Sequence, residues 1–599
     1  MVGLQELIHK FEVGEGAGWL RSVLGAVALL AMAVIYDLRE FKNFNSPEAM
    51  DQAQLARNIA EGEGFTTRCI RPLSAHLLQQ RHRELAKDKA ASPADPASDP
   101  TFLHVDHPDI THPPLYPVLL AGLMKVAPFR YEIPQNAAFH TYQPEIVIAL
   151  FNQVLFMLAA IQLYLLARRL FDASAALIST LLFVGGELFW RFSISGLSTL
   201  LLINLFLALV SVLTRLDESC RNPEKPLRST MLWAAAAGLL LGAGLLTRYS
   251  YGWLLLPVLV HAGWSGPQRR WVAMGAVLVA FAVVTTPWLV RNHQLSGHFF
   301  GTAGYAVYAE SKSFPSDHLE RALAPAFNRV EFEEFLRKLV VNGTALLQED
   351  LPKLGGSWVS AFFLAGLMVN FRNPVLSRLR WFLVGTLAIF GLVQVMGRTF
   401  LSTENPVVNG ENLLAIAAPL VFVFGTAIFL TLLDQLEVPM PEIKHLVTTG
   451  FVLLSCAPLL LVLLPPRLHP VAYPPYYPPV VQTLSGWMTP KELIMTDVPW
   501  AVSWYGRKKA IWTVINAKED FFAVSDFQKP VSALYLTQRT TDAKFHSQMV
   551  KPQATSWEWF ILQGLVKTNL PSGFPLKKSA GGFETVGHFY LTDRERWLK

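Results

Sequence analysis

Charged residues and cysteines are both scarce in this sequence. Only 16% of its 599 residues are Asp, Glu, Lys or Arg, whereas 52% are hydrophobic and the mean hydropathy is +0.32. Soluble domains carry about 25% charged residues, so this composition excludes an ordinary soluble protein and indicates a multi-pass membrane protein. The three cysteines, Cys69, Cys220 and Cys456, lie far apart. Their spacing matches neither a disulfide framework nor a zinc site.

A basic patch on a polar segment is also missing, although the formal net charge is +6. Most of the lysines and arginines lie in short loops between apolar runs, which is the positive-inside pattern of membrane topology. We therefore expect the lipid bilayer as the partner of these segments and no nucleic acid.

Long apolar runs predict about eleven transmembrane helices. The first, from about Gly18 to Ile35, is not followed by a convincing cleavage site and is interpreted as a retained anchor. The others lie at about 145–167, 174–191, 197–214, 231–247, 251–264, 271–290, 357–370, 381–397, 412–432 and 446–465. If the N-terminus is cytoplasmic, every short basic loop falls inside the cell. Residues 37–143, 291–355 and the C-terminal tail then lie outside.

The predicted fold class is mainly α. Residues 1–465 form the membrane domain, whose first outside loop (37–143) holds interfacial helices, among them a 12-residue apolar stretch at 115–126 that is too short to span. A proline-rich linker follows at 466–487. Residues 488–599 alternate short β-type runs with helix-like stretches, which predicts a small extracytoplasmic α/β domain.

A polar helix is predicted directly after the first apolar run, within residues 46–65. Pro47 suits its first position and Gly62 its end. Asp51, Gln54 and Asn58 are spaced by three and four residues, so they share one face. The pattern predicts a helix that lies on the membrane surface and presents a carboxylate to water. Replacing Asp51 with asparagine would then cost little stability.

Two short motifs resemble the GT-C glycosyltransferases, more narrowly glycosyltransferase family 39 and the related bacterial aminoarabinose and mannosyl transferases. They are Asp51 with Ala56-Arg57-Asn58, Gly62 and Phe65, and later His112-Pro113-Pro114-Leu115-Tyr116-Pro117. In that superfamily an acidic residue of the first extracytoplasmic loop is the catalytic base, and a lipid-phosphate sugar is the donor. The resemblance implies that Asp51 takes the proton of the acceptor and that the anomeric carbon is inverted.

The resemblance also implies a set of substrate-binding residues. His112 precedes the Pro-Pro-Leu sequence, and it is expected to contact the lipid phosphate. Arg248 and Arg291 end two outward-going spans in patterns that recur in the family, and arginine suits phosphate oxygens. Each could equally anchor its helix at the membrane interface. The full set is Arg57, Asn58, His112, Tyr116, Arg248 and Arg291.

A stretch rich in histidine and aspartate raises the question of a metal. Asp106, His107 and Asp109 lie within nine residues that hold three histidines and two acids, and such side chains can ligate a divalent ion. The alternative is a rigid, proline-flanked loop whose side chains meet water. A divalent metal ion is the one cofactor that the sequence suggests, and the pattern leaves it open.

The sequence thus predicts a glycosyltransferase of the bacterial plasma membrane. It would move a hexose or pentose from a polyprenyl-phosphate donor to a glycolipid, polysaccharide or protein acceptor on the outer face. A transporter or lipid flippase is the alternative class, but it should carry ionisable residues inside spans and broken helices at paired positions, and neither is clear here. A third alternative is an inactive relative that only binds the lipid-linked sugar, because Ser198 stands where many relatives carry an acid.

Overall fold

The computed structural model describes residues 15–88, 103, 106–133, 141–266, 268–356, 358–369, 371–397, 412–436, 441–464, 477–540, 556–557, 559–561, 573–580 and 588–597. The helices that precede residue 300 are α1 (Glu15–Glu40), α2 (Pro47–Glu61), α3 (Pro72–Asp88), α4 (Leu115–Val126), α5 (Gln143–Leu170), α6 (Ala173–Val184), α7 (Glu187–Ile194), α8 (Thr199–Arg221), α9 (Leu227–Thr247), α10 (Leu255–Ser265) and α11 (Arg270–Ser296). The later helices are α12 (His318–Arg321), α13 (Phe332–Ala345), α14 (Trp358–Leu367), α15 (Pro374–Met396), α16 (Leu414–Gln435), α17 (Pro441–Leu463), α18 (Pro478–Gly486), α19 (Pro499–Gly506) and α20 (Glu519–Phe527). The strands are β1 (Thr66–Thr67), β2 (Cys69–Ile70), β3 (His107–Pro108), β4 (Leu493–Thr496), β5 (Lys509–Trp512), β6 (Val531–Leu536), β7 (Lys578–Ser579) and β8 (Phe589–Thr592).

Seven helices in these ranges are long and apolar enough to cross a membrane, namely α5, α8, α9, α11, α15, α16 and α17. The pair α6 and α7, bent by 55°, makes an eighth if it is counted as one span. A mainly helical, multi-pass architecture is thus confirmed, whereas the predicted number of eleven is not. The apolar runs at 251–264 and 357–370 contain the α-helices α10 and α14, of 11 and 10 residues. A span needs about 20 residues, so neither crosses a bilayer by itself.

The centre of the helical bundle is formed by α16, in which residues 414–429 are all buried. It packs against α14, α6 and α8. On the other side of α8, α9 packs closely along α11. Glycine permits this approach, because a Cβ at Gly238 would lie 2.3 Å from the backbone oxygen of Val277.

A six-stranded sheet covers one end of the bundle, in the order β2-β5-β4-β6-β8-β7. The first four of these strands are parallel to one another. Strand β8 pairs antiparallel with β6, and β7 pairs antiparallel with β8. Because β2 (Cys69–Ile70) lies within residues 37–143, the predicted first outside loop, residues beyond 488 share their sheet with that segment. The domain boundaries remain a prediction, and residues 466–476 of the predicted linker lie outside the described residues.

The predicted polar helix is α2. It begins at Pro47 and ends at Gly62, whose φ of 87° is unstrained only for glycine and whose N–H donates to the Ile59 oxygen at 3.2 Å. Its predicted exposure to water is wrong, since every residue from Ala49 to Asn58 is buried. The cause is tertiary: α4 packs on one part of α2 and α19, from the C-terminal part of the chain, packs on another.

Candidate active site

The carboxylate of Asp51 lies at the centre of a buried charged cluster. Its side chain is 0% exposed, and its Oδ2 lies 2.7 Å from Nη2 of Arg71 and 3.7 Å from Nε2 of His112. Oδ1 accepts a hydrogen bond from Nε2 of Gln54 at 3.1 Å. Asp51 is therefore a member of a buried ion pair and not the solvated carboxylate that the helical pattern predicts.

Arg71 is the main site residue that is missing from the predicted set. It directly follows β2, which pairs in parallel with β5, so the sheet positions its guanidinium beside Asp51. A second carboxylate, that of Glu320, lies 3.4 Å away. Burial acts to lower the pKa of Arg71, but the charges of Asp51 and Glu320 outweigh it and raise that pKa. No local motif marks Arg71, because its partners meet it only in the folded chain.

His112 lies between two carboxylates. Its Nδ1 is 3.2 Å from Oδ2 of Asp109, and its backbone N–H donates to Oδ1 of Asp109 at 2.7 Å. Burial acts to lower the pKa of His112, but the charges of Asp109 and Asp51 raise it. Burial likewise acts to raise the pKa of Asp109, but the charge and hydrogen bonds of His112 lower it to about 2. The arrangement therefore favours the imidazolium form.

Arg248 lies next to this cluster. Its Nη2 is 3.3 Å from Oε1 of Glu48, which is one helical turn before Asp51 on α2. Its Nη1 is buried and has no hydrogen-bond partner among the residues that the structure describes. A guanidinium with one unused edge is suited to a phosphate oxygen.

Arg291 makes a different set of contacts. It donates to the backbone oxygen of Asp109 at 2.7 Å and to that of Phe65 at 3.4 Å. Its guanidinium lies 4.5 Å from the ring centroid of Trp288. These contacts fix the loop that carries Asp109 and His112, so Arg291 positions the cluster from the end of α11.

The side chains of the other three predicted substrate-binding residues bond to groups other than Asp51. Arg57 pairs with Glu61 at 3.0 Å. Asn58 donates at 2.7 Å to the backbone oxygen of Thr66 in β1. Tyr116 is buried in the bundle and donates to the backbone oxygen of Gly196 at 2.9 Å. All three hold the fold around the site, and their contact with a substrate stays a prediction.

The metal candidates are each engaged with a different neighbour. Asp106 lies 3.1 Å from Nζ of Lys509, and Nε2 of His107 lies 3.1 Å from the hydroxyl of Ser74. Asp109 is bonded to the imidazole described above. Across the described ranges, no three His, Cys, Asp or Glu side chains come together as a group that could hold a metal ion.

Comparison with known proteins identifies a family match that covers part of the site. Residues 109–300 match the family model of the dolichyl-phosphate-mannose-protein mannosyltransferases. The matched range includes Asp109, His112, Arg248 and Arg291, whereas Asp51 and Arg71 precede it. No curated protein matches the sequence.

Two solved structures are similar to this chain. The Archaeoglobus fulgidus oligosaccharyltransferase in complex with zinc and sulfate is 11% identical with a TM-score of 0.50, over 88% of this chain and 70% of that chain. ArnT from Cupriavidus metallidurans bound to undecaprenyl phosphate is 12% identical with a TM-score of 0.49, over 96% of this chain and 98% of that chain. The match of residues 109–300 to the family model confirms the resemblance to the GT-C glycosyltransferases, and these residues carry a domain of the dolichyl-phosphate-mannose-protein mannosyltransferase family.

Proposed function

We propose that this chain is an inverting glycosyltransferase that moves a sugar from a polyprenyl-phosphate donor to an acceptor on the outer face of the plasma membrane. The observation that carries the proposal is the buried row Asp51–His112–Asp109 with Arg71 at one end. It combines a carboxylate suited to accept a proton with cations suited to a phosphate, beside helices that suit a lipid tail. The family match over residues 109–300 supports the same activity.

The proposed reaction is a single displacement. Asp51 accepts the proton of the acceptor hydroxyl, whose oxygen forms a bond to the anomeric carbon. The bond from that carbon to the phosphate oxygen breaks, and polyprenyl phosphate leaves with the electron pair. His112 and Arg248 offset the charge on the leaving phosphate. Attack opposite the phosphate inverts the anomeric centre.

Arg71 connects donor binding to the state of the base. In the structure, the guanidinium of Arg71 forms an ion pair with Oδ2 of Asp51, the oxygen that would otherwise accept the proton. A donor phosphate offers two or more anionic oxygens and would compete with Asp51 for this guanidinium. Movement of Arg71 toward the phosphate would then release Asp51, so the base becomes active only when the donor is bound.

One observation favours a second function, that of a relative that binds lipid-linked sugar without transferring it. Asp51 is fully buried and paired with Arg71. Ser198, at the position where many relatives carry an acid, is buried too, and its hydroxyl has no hydrogen-bond partner in the described part of the chain. Such a protein would bind the donor and leave it intact.

The deciding experiment uses the full chain in lipid nanodiscs with a panel of undecaprenyl-phosphate-linked hexoses and pentoses. Each donor is combined with a glycolipid, a polysaccharide or a serine- and threonine-containing peptide, because the displacement needs an acceptor hydroxyl. We expect release of undecaprenyl phosphate with one of these donors, lost in Asp51→Asn and retained in Asp526→Asn, a change at an exposed residue of α20. Saturable donor binding without any release would identify the non-catalytic binder. Absence of both would refute the proposal.

A further inference from the structure

A second polar cluster lies where β4 ends. Asp497 follows this strand, and its Oδ2 accepts hydrogen bonds from the backbone N–H groups of Thr537 at 2.9 Å and Thr540 at 3.2 Å, and from both of their hydroxyls. Its Oδ1 has no hydrogen-bond partner among the described residues, although Asp497 is only 4% exposed. A buried carboxylate oxygen without a partner is costly, so this atom marks a place for a ligand or an ordered water.

Trp500, three residues further on, supplies the complementary group. It is 1% exposed, and its indole N–H also has no acceptor in the part of the chain that the structure describes. The guanidinium of Arg539 lies 4.9 Å from its ring centroid, and Arg539 is the neighbour of Thr540 in sequence. Oδ1 of Asp497, an acceptor, and the indole N–H of Trp500, a donor, thus both lack hydrogen-bond partners among the described residues, and the two residues are three positions apart in the sequence.

Sheet topology independently indicates the same place. The strand order β5-β4-β6 means that the chain leaves β4 toward one side and returns to pair with β4 on the other side. In open α/β sheets, ligands bind outside the carboxyl ends of the strands at such a switch point. Asp497 stands at the carboxyl end of β4, and Thr537 stands at that of β6.

Arg71, the partner of Asp51, also lies at the carboxyl ends of these strands. The parallel strands β2, β5 and β4 are neighbours, and Arg71 follows β2. Strands are spaced by about 4.8 Å, so the ends of β2 and β4 lie about 10 Å apart. The helix α12 runs along this edge, because Asp317 before it lies 2.9 Å from Arg539 and Glu320 within it lies 3.4 Å from Arg71. About two sugar rings would bridge that distance.

We propose that Asp497 and Trp500 form a carbohydrate-binding subsite that holds the glycan of the acceptor. A sugar hydroxyl both donates and accepts, so one hydroxyl, or two adjacent ones, can satisfy Oδ1 of Asp497 and the indole N–H together. The carboxylate disfavours an anionic ligand, and an apolar ligand would leave both atoms unpaired. The role as an acceptor site rests on the proposed glycosyl transfer, and sugar binding itself is measured separately.

The test measures equilibrium binding of the methyl glycosides of glucose, galactose, mannose and N-acetylglucosamine to the full chain in nanodiscs, without donor. Asp497→Asn retains an oxygen for Thr537 and Thr540 but places an NH₂ group at Oδ1. We expect it to raise the Kd of a bound glycoside by about 10- to 100-fold, and Trp500→Phe to raise it by about 2- to 10-fold. Asp526→Asn, at an exposed residue near the end of α20, should leave the Kd unchanged.

Thermal unfolding of each variant checks that it is folded, and Asp497→Asn remains decisive if the loss of volume in Trp500→Phe impairs folding. No saturable binding by the parental chain, or a parental Kd in Asp497→Asn, would overturn the proposal. Oδ1 of Asp497 and the indole N–H of Trp500 would then be satisfied by a buried water only. Donor consumption is recorded in parallel with tri- and tetrasaccharides of the bound sugar, which are long enough to reach from the subsite to Asp51. Binding of these glycans without donor consumption would refute the glycosyl transfer but not the sugar site, and transfer with an unchanged acceptor KM in Asp497→Asn would refute only the role of the subsite in acceptor binding.

Discussion

The substitution Asp51→Asn tests the buried ion pair and the proposed chemistry together. Asp51 has a side-chain exposure of 0% and its partner Arg71 has 11%. Removing one member of a buried pair costs about 3–5 kcal/mol, because the remaining charge is buried without compensation. Glu320, 3.4 Å from Arg71, offers a partial substitute. We therefore expect a loss near the lower limit, about 3 kcal/mol, in place of the small cost that a surface helix would imply.

The same variant should lose the general base. That contribution is typically about 100- to 10,000-fold in turnover, and asparagine cannot accept the proton. Thermal unfolding measures the first effect, and release of polyprenyl phosphate at saturating donor measures the second. Stability and turnover are thus obtained from the same preparation.

A second substitution separates the two effects. Adding Arg71→Met removes the stranded charge, and replacing a whole buried pair by apolar side chains is often neutral in stability. The double variant should therefore regain most of the lost stability but none of the turnover. Parental turnover in Asp51→Asn would show that the base lies elsewhere, with Asp109 the next candidate. An unchanged unfolding midpoint would refute the buried ion pair.

Three further predictions follow from the contacts. The raised pKa of His112 means that its stabilising contribution is complete below its ordinary pKa of 6.5 and is lost as pH rises through the raised pKa of the folded state. The difference in unfolding midpoint between the parent and His112→Gln should therefore shrink as pH rises above 6.5. A constant difference would contradict its pairing with the carboxylates. Glu145 accepts the Trp504 indole N–H at 2.9 Å across the junction with the C-terminal part, so Glu145→Gln should lower the unfolding free energy by about 1–3 kcal/mol, and parental stability in denaturant would argue against this bridge. In intact cells, a membrane-impermeant thiol reagent should label Asp526→Cys but not Glu224→Cys, and equal labelling would refute the predicted topology.

Composition and local pattern determined the membrane architecture and the ends of α2. A bilayer requires long apolar helices, so apolar runs and basic loops are visible along the chain without any knowledge of packing. Pro47 and Gly62 act through their own backbone preferences, which is why both ends of α2 were predictable. The short motifs likewise singled out Asp51 and His112, whose side chains the fold brings to within 3.7 Å of each other.

Tertiary structure alone decided how the site is built. The pairing of β2 with β5 joins residues 69–70 to residues 510–511, and no local period records a contact over that separation. That pairing brings Arg71 to Asp51, while α19 covers α2 and converts its polar face into a buried one. The exposure of a helical face depends on what packs against it, and for α2 the covering element lies more than 400 residues further along the chain. The sequence therefore identifies Asp51 as the candidate base, but only the folded chain shows that Arg71 is its charged partner.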